Sequence, residues 1–438
     1  MKRQISFGQA LATVVGSVIG AGVFFKIGVI TQQTGSTSMT LFVWILAGFI
    51  SICSGLTISE IAASLNVNGA IEYLDYTYGN IWGFLFGWAE MIVYFPAQMA
   101  ALASIFGEQF NTLFKINSIN SKWISILLII FLFSINMIGT DVSAKMQSAV
   151  TVIKLIPLAL IIIFGAFNPH RVSIHVFPIT AGTHHTWLSA VSQGLLSALF
   201  AFEGWISVTN LAKELKNPKK DMSRAIIFGL GIVTAIYVLV NYTFLTILPL
   251  KQIIGNENTA LYASLKLFGT IGGKIVAIGI LISVYGACNG FMLTGMRTPF
   301  ILAQDDRLPF SNKIGKASIR TGVPVFGAII VDTIAIIMIL LGNFNLLTDM
   351  LVFVMWTFTT LLAIAVFVLR KREPDLERPF KVPGYPAIPI IAIVGGLFII
   401  VMTIINQFWL SIIGLGLTLL GLPVYYFNNK KAVKANKS

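Results

Sequence analysis

Along the chain, long apolar runs alternate with short polar and basic stretches. About twelve of these runs approach or exceed the roughly 20 residues that a helix needs to cross a bilayer. They cover approximately 8–30, 39–64, 81–110, 123–139, 146–167, 187–212, 225–248, 272–303, 323–341, 347–369, 388–405 and 408–427. The third and eighth are long enough to require tilt or extension beyond the bilayer. The stretch from Asn68-Gly69 through Tyr73, Tyr76 and Tyr78 to Gly79 is too polar and aromatic to span. It predicts an interfacial helix with tyrosines at headgroup depth. Residues 258–268 predict a short helix outside the membrane. Pro374, Pro379, Pro383, Pro386 and Pro389 form a stiff linker. The pattern predicts an all-α polytopic membrane protein. A ten-helix core occupies 1–370, a Pro-rich linker 371–387, two additional helices 388–427, and a basic tail 428–438.

Composition agrees with that pattern. Of 438 residues, 56% are hydrophobic and only 11% charged, against about 25% charged in soluble domains. Mean hydropathy is +0.86. The net charge of +13 does not indicate a nucleic-acid partner, because the basic residues gather in alternate loops. With the N-terminus inside, Lys2, Arg3, Lys145, Lys213–Arg224, Arg297–Arg320, Arg370–Lys381 and the tail place roughly 22 of the 30 lysines and arginines inside. Both termini are therefore expected to be cytoplasmic in a multi-pass cell-membrane protein. Met1-Lys2-Arg3 leads into a full-length apolar run without an early small-residue cleavage site, so no cleavable signal peptide is expected. Cys53 and Cys288 lie in apolar runs and predict neither a disulfide nor a metal site. His170, His175, His184 and His185 fall outside the membrane or at its edge, and no cofactor is expected.

Two apolar runs carry breaks. Gly16-Ser17-Val18-Ile19-Gly20-Ala21-Gly22 puts three glycines into the middle of the first. Each weakens a helix by about 1 kcal/mol relative to alanine. Unpaired backbone groups in lipid cost several kcal/mol each, so a break persists only where something polar fills it. A half-helix N-terminus offers N–H groups to an anion, and the carbonyls of the preceding half suit a cation. An amino acid carries both charges on one carbon. The same Gly16-x-x-x-Gly20 spacing also serves close helix packing. The sixth run contains Phe200-Ala201-Phe202-Glu203-Gly204-Trp205. A carboxylate at a helix centre costs about 2.5–3.5 kcal/mol on insertion scales and marks function by default, the alternative being a structural hydrogen bond. Breaks in runs one and six lie in halves of opposite orientation. This is the signature of an inverted five-plus-five repeat, about 8–167 and 187–370, with a midplane site.

Lys154 stands in the fifth run beside Pro157. A buried amine must find carbonyls or a carboxylate, unless it snorkels to the interface. Glu90 and Gln98 in the third run, Tyr237 and Asn241 in the seventh, and Ser283, Tyr285, Cys288 and Asn289 in the eighth suit interhelical hydrogen bonds. Glu90 is alternatively a proton carrier.

These residues resemble the L-amino-acid transporter branch of the APC superfamily, with bacterial serine/threonine exchangers the nearest likeness. The resemblance rests on Gly16–Phe24, Lys154, Gly83–Trp88, Phe200–Trp205, Asn289-Gly290, Leu215–Pro218, Arg307–Pro309 and Gly421–Tyr426. It implies that spans one and six unwind around the substrate. The amides of Gly20, Ala21 and Gly22 take the α-carboxylate. The carbonyls of Val18, Ile19, Phe200, Ala201 and Glu203 take the ammonium, with Phe202 and Gly204 in the same turn. Phe200 is implied as the outer gate. Lys154 and Tyr237 stand behind the first break, where the lysine makes sodium redundant, and Glu90 is a further coupling residue. Tyr94, Tyr285, Cys288 and Asn289 are candidates for a side-chain pocket. Relatives usually carry Ser at Ala21, Tyr at Phe202, Gly or Asp at Glu203, and a second glycine at Asn68. In animal members a cysteine after span three tethers a glycoprotein. Residues 113–122 contain none, so no disulfide-linked heavy subunit is expected.

The implied activity is sodium-independent exchange of small neutral L-amino acids such as serine, threonine or alanine, by alternating access. The alternative is proton-coupled symport, through Glu203 or Glu90, or exchange that accepts cationic amino acids or amines. An enzyme is not expected, since the spans lack a convergent His/Asp/Glu cluster. The chain also lacks the charge rings of a channel.

Overall fold

The computed structural model describes residues 6–65, 67, 69–116, 118–139, 150, 153–206 and 215–435. Asn68, Lys145, residues 146–149 and 151–152 of the fifth run, residues 207–212 of the sixth, Lys213, Lys2, Arg3 and Lys437 lie outside the described residues. Among the described residues eight helices are long and apolar enough to cross a membrane, and one further pair does so as a single bent span. With three shorter apolar helices, these correspond one for one to the twelve runs. The bent pair is α1 (Phe7–Val18) and α2 (Gly22–Thr34). The long helices are α3 (Thr37–Ser64), α5 (Asn80–Phe114), α6 (Ser121–Ile138), α9 (Pro218–Ile247), α10 (Thr259–Gly295, followed by α11, Arg297–Gln304), α13 (Phe344–Arg372), α14 (Ala387–Asn406) and α15 (Phe408–Leu419, followed by α16, Gly421–Ala435). The shorter ones are α7 (Leu155–Ala166), α8 (Trp187–Ala201) and α12 (Val325–Leu341). The polar, tyrosine-rich stretch forms α4 (Ala70–Tyr78).

Local chemistry sets many of these ends. Ser6 and Gln9 form a capping box at the start of α1. Ser36 and Thr186 accept the Met39 and Ser189 amides at the starts of α3 and α8. The short outer helix expected over 258–268 is the first part of α10, set off by non-helical Gly269. In α5, Pro96 has no N–H for the Ile92 carbonyl and its ring crowds that carbonyl. Ahead of it the helix widens to one π turn, Glu90–Tyr94, in which the Phe95 amide reaches back to Glu90.

The chain divides into two compact units. One comprises Met1–Tyr73, Lys154–Ile280 and Trp356–Phe408. Within it α9 packs along α1 and α3, α2 lies against α8, and α14 covers α3 and α8. Within this unit the buried Glu60 carboxylate takes a fork from Arg370 at 2.7 and 2.6 Å. The same carboxylate accepts the Val382 amide at 2.7 Å, and Arg378 lies 3.6 Å away. The Arg370 guanidinium stacks 3.7 Å over the Tyr385 ring. These contacts pin the proline linker.

The other unit comprises Leu74–Ile153, Leu281–Met355 and Trp409–Ser438. There α5 packs on α6 and α12, and α16 lies against the start of α5. Trp88 donates to the Leu417 carbonyl at 3.0 Å. Large apolar side chains such as Trp123, Leu127 and Phe131 stay exposed on α6, as a lipid-facing surface requires.

Candidate functional site

The break in the first span leaves identifiable carbonyls without their helical donors. Helix α1 ends at Val18, Ile19 is extended at φ −64° and ψ 110°, and α2 restarts at Gly22 after a bend of 51°. In an unbroken helix the Gly16, Val18 and Ile19 carbonyls would accept from residues 20, 22 and 23. Side chains take over that role. The Lys154 ammonium donates to the Gly16 carbonyl at 2.6 Å and to the Ile19 carbonyl at 2.5 Å. The Tyr237 hydroxyl lies 3.0 Å from the Val18 carbonyl and 2.9 Å from the Ala201 carbonyl, and its one proton is shared between them. Lys154 is 5% exposed and Tyr237 fully buried. The lysine is therefore not snorkelling: it solvates the break from inside the protein.

The second break meets the first. Helix α8 ends at Ala201, and Phe202 to Trp205 continue as tight turns. The Phe202 amide reaches the Leu199 carbonyl at 3.0 Å and the Glu203 amide reaches Phe200 at 3.3 Å. Two glycines permit the contact between the breaks. A Cβ on Gly22 would stand 2.6 Å from the Ala201 Cα. Gly204 has φ +108°, a conformation L side chains rarely adopt, and a Cβ there would stand 2.7 Å from the Ser17 carbonyl oxygen. Close packing at the first break thus falls on Gly22, whereas a Cβ on Gly20, the second glycine of the Gly16-x-x-x-Gly20 spacing, would meet only the Val18 carbonyl oxygen at 3.8 Å. Phe202 is 1% exposed, and its ring packs on Tyr237 at 5.1 Å and Trp44 at 6.3 Å. What Phe202 can offer a ligand is therefore backbone. Glu203 and Gly204 are part-buried.

Phe200, 6% exposed, has the Lys26 ammonium 5.6 Å over its ring centroid. Lys26 is fully buried on α2, and sequence reasoning missed it. It stands one helical turn beyond Gly22, on the face that meets α8. A charged residue inside an apolar run was the available signal.

The remaining candidates belong to the second unit. The Tyr94 ring packs edge-on to Phe95 at 5.0 Å and Phe291 at 6.1 Å. Cys288 is fully buried with its thiol 3.8 Å from the Met99 carbonyl. Asn289, 2% exposed, accepts from Asn136 at 2.9 Å. The Tyr285 hydroxyl is buried without a hydrogen-bond partner among the described residues. Glu90, in the π turn, is hydrogen-bonded by the Thr298 side chain. Among the described residues no group of three or more His, Cys, Asp or Glu side chains is arranged to hold a metal ion.

A family profile described as amino acid permease matches residues 5–417. The chain is 38% identical to the Serine/threonine exchanger SteT of Bacillus subtilis (strain 168), over 98% of both chains. It is 26% identical to the human Cystine/glutamate transporter, covering 97% of this chain and 85% of that one. It is also 26% identical to the mouse b(0,+)-type amino acid transporter 1, over 93% and 84% of the two chains.

Proposed function

The chain belongs to the amino acid permease family, and we propose that within it the protein is a sodium-independent exchanger of small neutral L-amino acids such as serine, threonine and alanine. The observation that carries the reading is the pair of broken helices in contact, with Lys154 and Tyr237 on the freed carbonyls of the first. A fixed ammonium on those carbonyls supplies the positive charge that a bound sodium ion would otherwise bring. The substrate α-carboxylate is assigned to the amides of Gly20, Ala21 and Gly22. The ammonium is assigned to the carbonyls of Val18, Ile19, Phe200, Ala201 and Glu203. This mode of recognition reads the groups common to all amino acids and leaves selectivity to side-chain contacts. Transport then follows from differential contacts in two states, with no covalent step and no enzymatic role. The expected topology has both termini in the cytoplasm and functions without a disulfide-linked heavy subunit.

One observation favours a second reading. Glu203 places a carboxylate in the turn that carries the ammonium-binding carbonyls, which suits a substrate with a cationic side chain.

The test uses purified protein in liposomes. Labelled serine uptake is expected only when the vesicles are loaded with unlabelled serine or threonine, and is expected to be unchanged when external potassium is replaced by sodium. Uptake into empty vesicles driven by a pH gradient would overturn exchange in favour of symport. Stronger competition by lysine or ornithine than by threonine would favour the second reading.

A further inference from the structure

A groove runs between α3 and α9, within the unit that holds the two breaks. Ile45, Phe49 and Ile52 of α3 form one wall, and Gly231, Ala235 and Val238 of α9 form the other. Ile45 and Phe49 are exposed. The groove holds about 540 Å³, within the range of about 300–1,000 Å³ typical of ligand pockets. Two glycines define its shape. The helices touch at Gly48, where an added Cβ would collide with the Thr234 side chain. Thr234 spends its hydroxyl on the Leu230 carbonyl at 2.7 Å. At Gly231 the reverse holds: an added Cβ would meet nothing within 4 Å. That glycine is not needed for the helices to approach, and it leaves the floor of the groove open.

Toward the start of α9 the same face turns basic. At 3.6 residues per turn, Arg224 and Lys220 fall within about 20° of Gly231 around the helix, and about 10 and 16 Å from it along the axis. Both are exposed, and neither has an ion pair among the described residues. Asp221 lies about 80° off that line. On α3 the one charge is Glu60, which is taken by Arg370 and the Val382 amide. Helices α1, α7 and α14, which pack on α9 or α3, carry no Asp, Glu, Lys or Arg.

A hydrocarbon groove that leads to two exposed cations matches a molecule apolar for most of its length and negative at one end. We propose that the groove binds a membrane phospholipid with an anionic headgroup: one acyl chain lies between α3 and α9 against Gly231, and the phosphate reaches Arg224 and Lys220. A neutral lipid or the face of a second copy would fill the apolar part and leave the two charges unused. The site bears on transport through α9. Tyr237, on the buried side of that helix, holds the Val18 and Ala201 carbonyls, so a chain wedged against the other side steadies the helix that bridges the two breaks. This consequence rests on the exchanger reading; the binding itself does not.

Gly231→Leu is the discriminating variant, because its Cβ meets no protein atom within 4 Å, its side chain occupies the groove, and leucine is the better helix former. Purified protein in detergent is mixed with phosphatidylglycerol or with phosphatidylcholine, and bound lipid is counted by native mass spectrometry beside the melting midpoint. Wild type is expected to retain phosphatidylglycerol several-fold more than phosphatidylcholine and to melt several degrees higher with it. Gly231→Leu should lose both responses, and the double variant Lys220→Gln with Arg224→Gln should treat the two lipids alike. Equal retention of both lipids by wild type, or undiminished phosphatidylglycerol retention in either variant, would overturn the site. A shift from dimer to monomer in Gly231→Leu would also overturn it, by assigning the groove to a second copy. In liposomes, wild-type serine exchange is expected to run several-fold faster with phosphatidylglycerol present than in phosphatidylcholine alone, and Gly231→Leu exchange to be indifferent to the lipid. Lipid binding as expected with wild-type exchange indifferent to it would overturn the link through α9 and leave the exchanger reading intact. No serine exchange in either lipid would overturn the exchanger reading and leave the lipid site standing.

Discussion

The Lys154 ammonium donates to the Ile19 carbonyl at 2.5 Å and, through a second hydrogen, to Gly16 at 2.6 Å. One side chain of the fifth span thus replaces two backbone donors lost at the break of the first. Lys154→Ala removes charge-assisted hydrogen bonds worth about 1.5–3 kcal/mol each where they are buried. One of these carbonyls, Ile19, is also assigned to the substrate ammonium, and the lysine uses only one of its two lone pairs. We expect turnover to fall about 10-fold or more, with apparent substrate affinity changed much less. Exchange rate and equilibrium binding measured on the same preparation check this. An affinity loss as large as the rate loss would put the lysine on the substrate.

Tyr237→Phe is expected to keep the ring contacts with Trp44 at 5.5 Å and Phe202 at 5.1 Å while removing the hydroxyl between Val18 and Ala201. Buried carbonyls left unpaired cost about 1–3 kcal/mol. The variant should fold, melt a few degrees lower and exchange more slowly. Normal melting and normal exchange would show that neither carbonyl depends on this hydroxyl.

The twelve runs and both breaks are legible in the sequence because length, hydropathy and glycine content act locally. Lys154 is legible as an anomaly, and the structure adds which carbonyls it meets. The pairing of Glu60 with Arg370 is not legible, since 310 residues separate them and each looks like an ordinary charge at a span end. Lys26 and Asp332 announce themselves as charges inside apolar runs. What sequence alone withholds is burial: a lysine near a span end snorkels as readily as it packs over a phenylalanine. The side-chain commitments of Cys288 and Asn289 depend on the facing helices, which periodicity does not identify.

Gly204→Ala is expected to abolish exchange. The φ of +108° and the Ser17 carbonyl 2.7 Å from the added Cβ force the two breaks apart. Gly8→Ala is the control: the added methyl meets nothing within 4 Å, and both folding and exchange should be retained. Fluorescence size-exclusion profiles with exchange rates separate the two outcomes.

Glu60→Gln is expected to lower thermal stability by a few kcal/mol. Breaking a fully buried pair costs about 3–5 kcal/mol, and the figure is discounted here because the Arg370 side chain keeps 23% exposure. Melting in detergent measures it. A further measurement is proteolysis of the proline linker, which the Val382 amide ties to the same carboxylate: the variant should be cleaved faster. Equal cleavage and melting would reduce the network to a surface ion pair.

Glu203 puts a carboxylate into the second break. Its backbone lies in the tight turns after α8, where any residue would present a carbonyl, so the side chain is the variable part. A carboxylate at this depth must be protonated, partnered or turned toward water. If it faces substrate, it favours ligands with a donor on the side chain, such as a hydroxyl or an amine. A site built for a donor rejects analogues that lack it far more strongly than an apolar pocket rejects an added methylene. Glu203→Gln keeps the shape and removes the charge. We expect it to retain alanine and serine exchange and to lose any preference for lysine or ornithine. The readout is the ratio of lysine to alanine uptake in wild type and variant. An unchanged ratio would mean that the carboxylate does not read the side chain, and that Glu203 acts through its backbone and the packing of the turn.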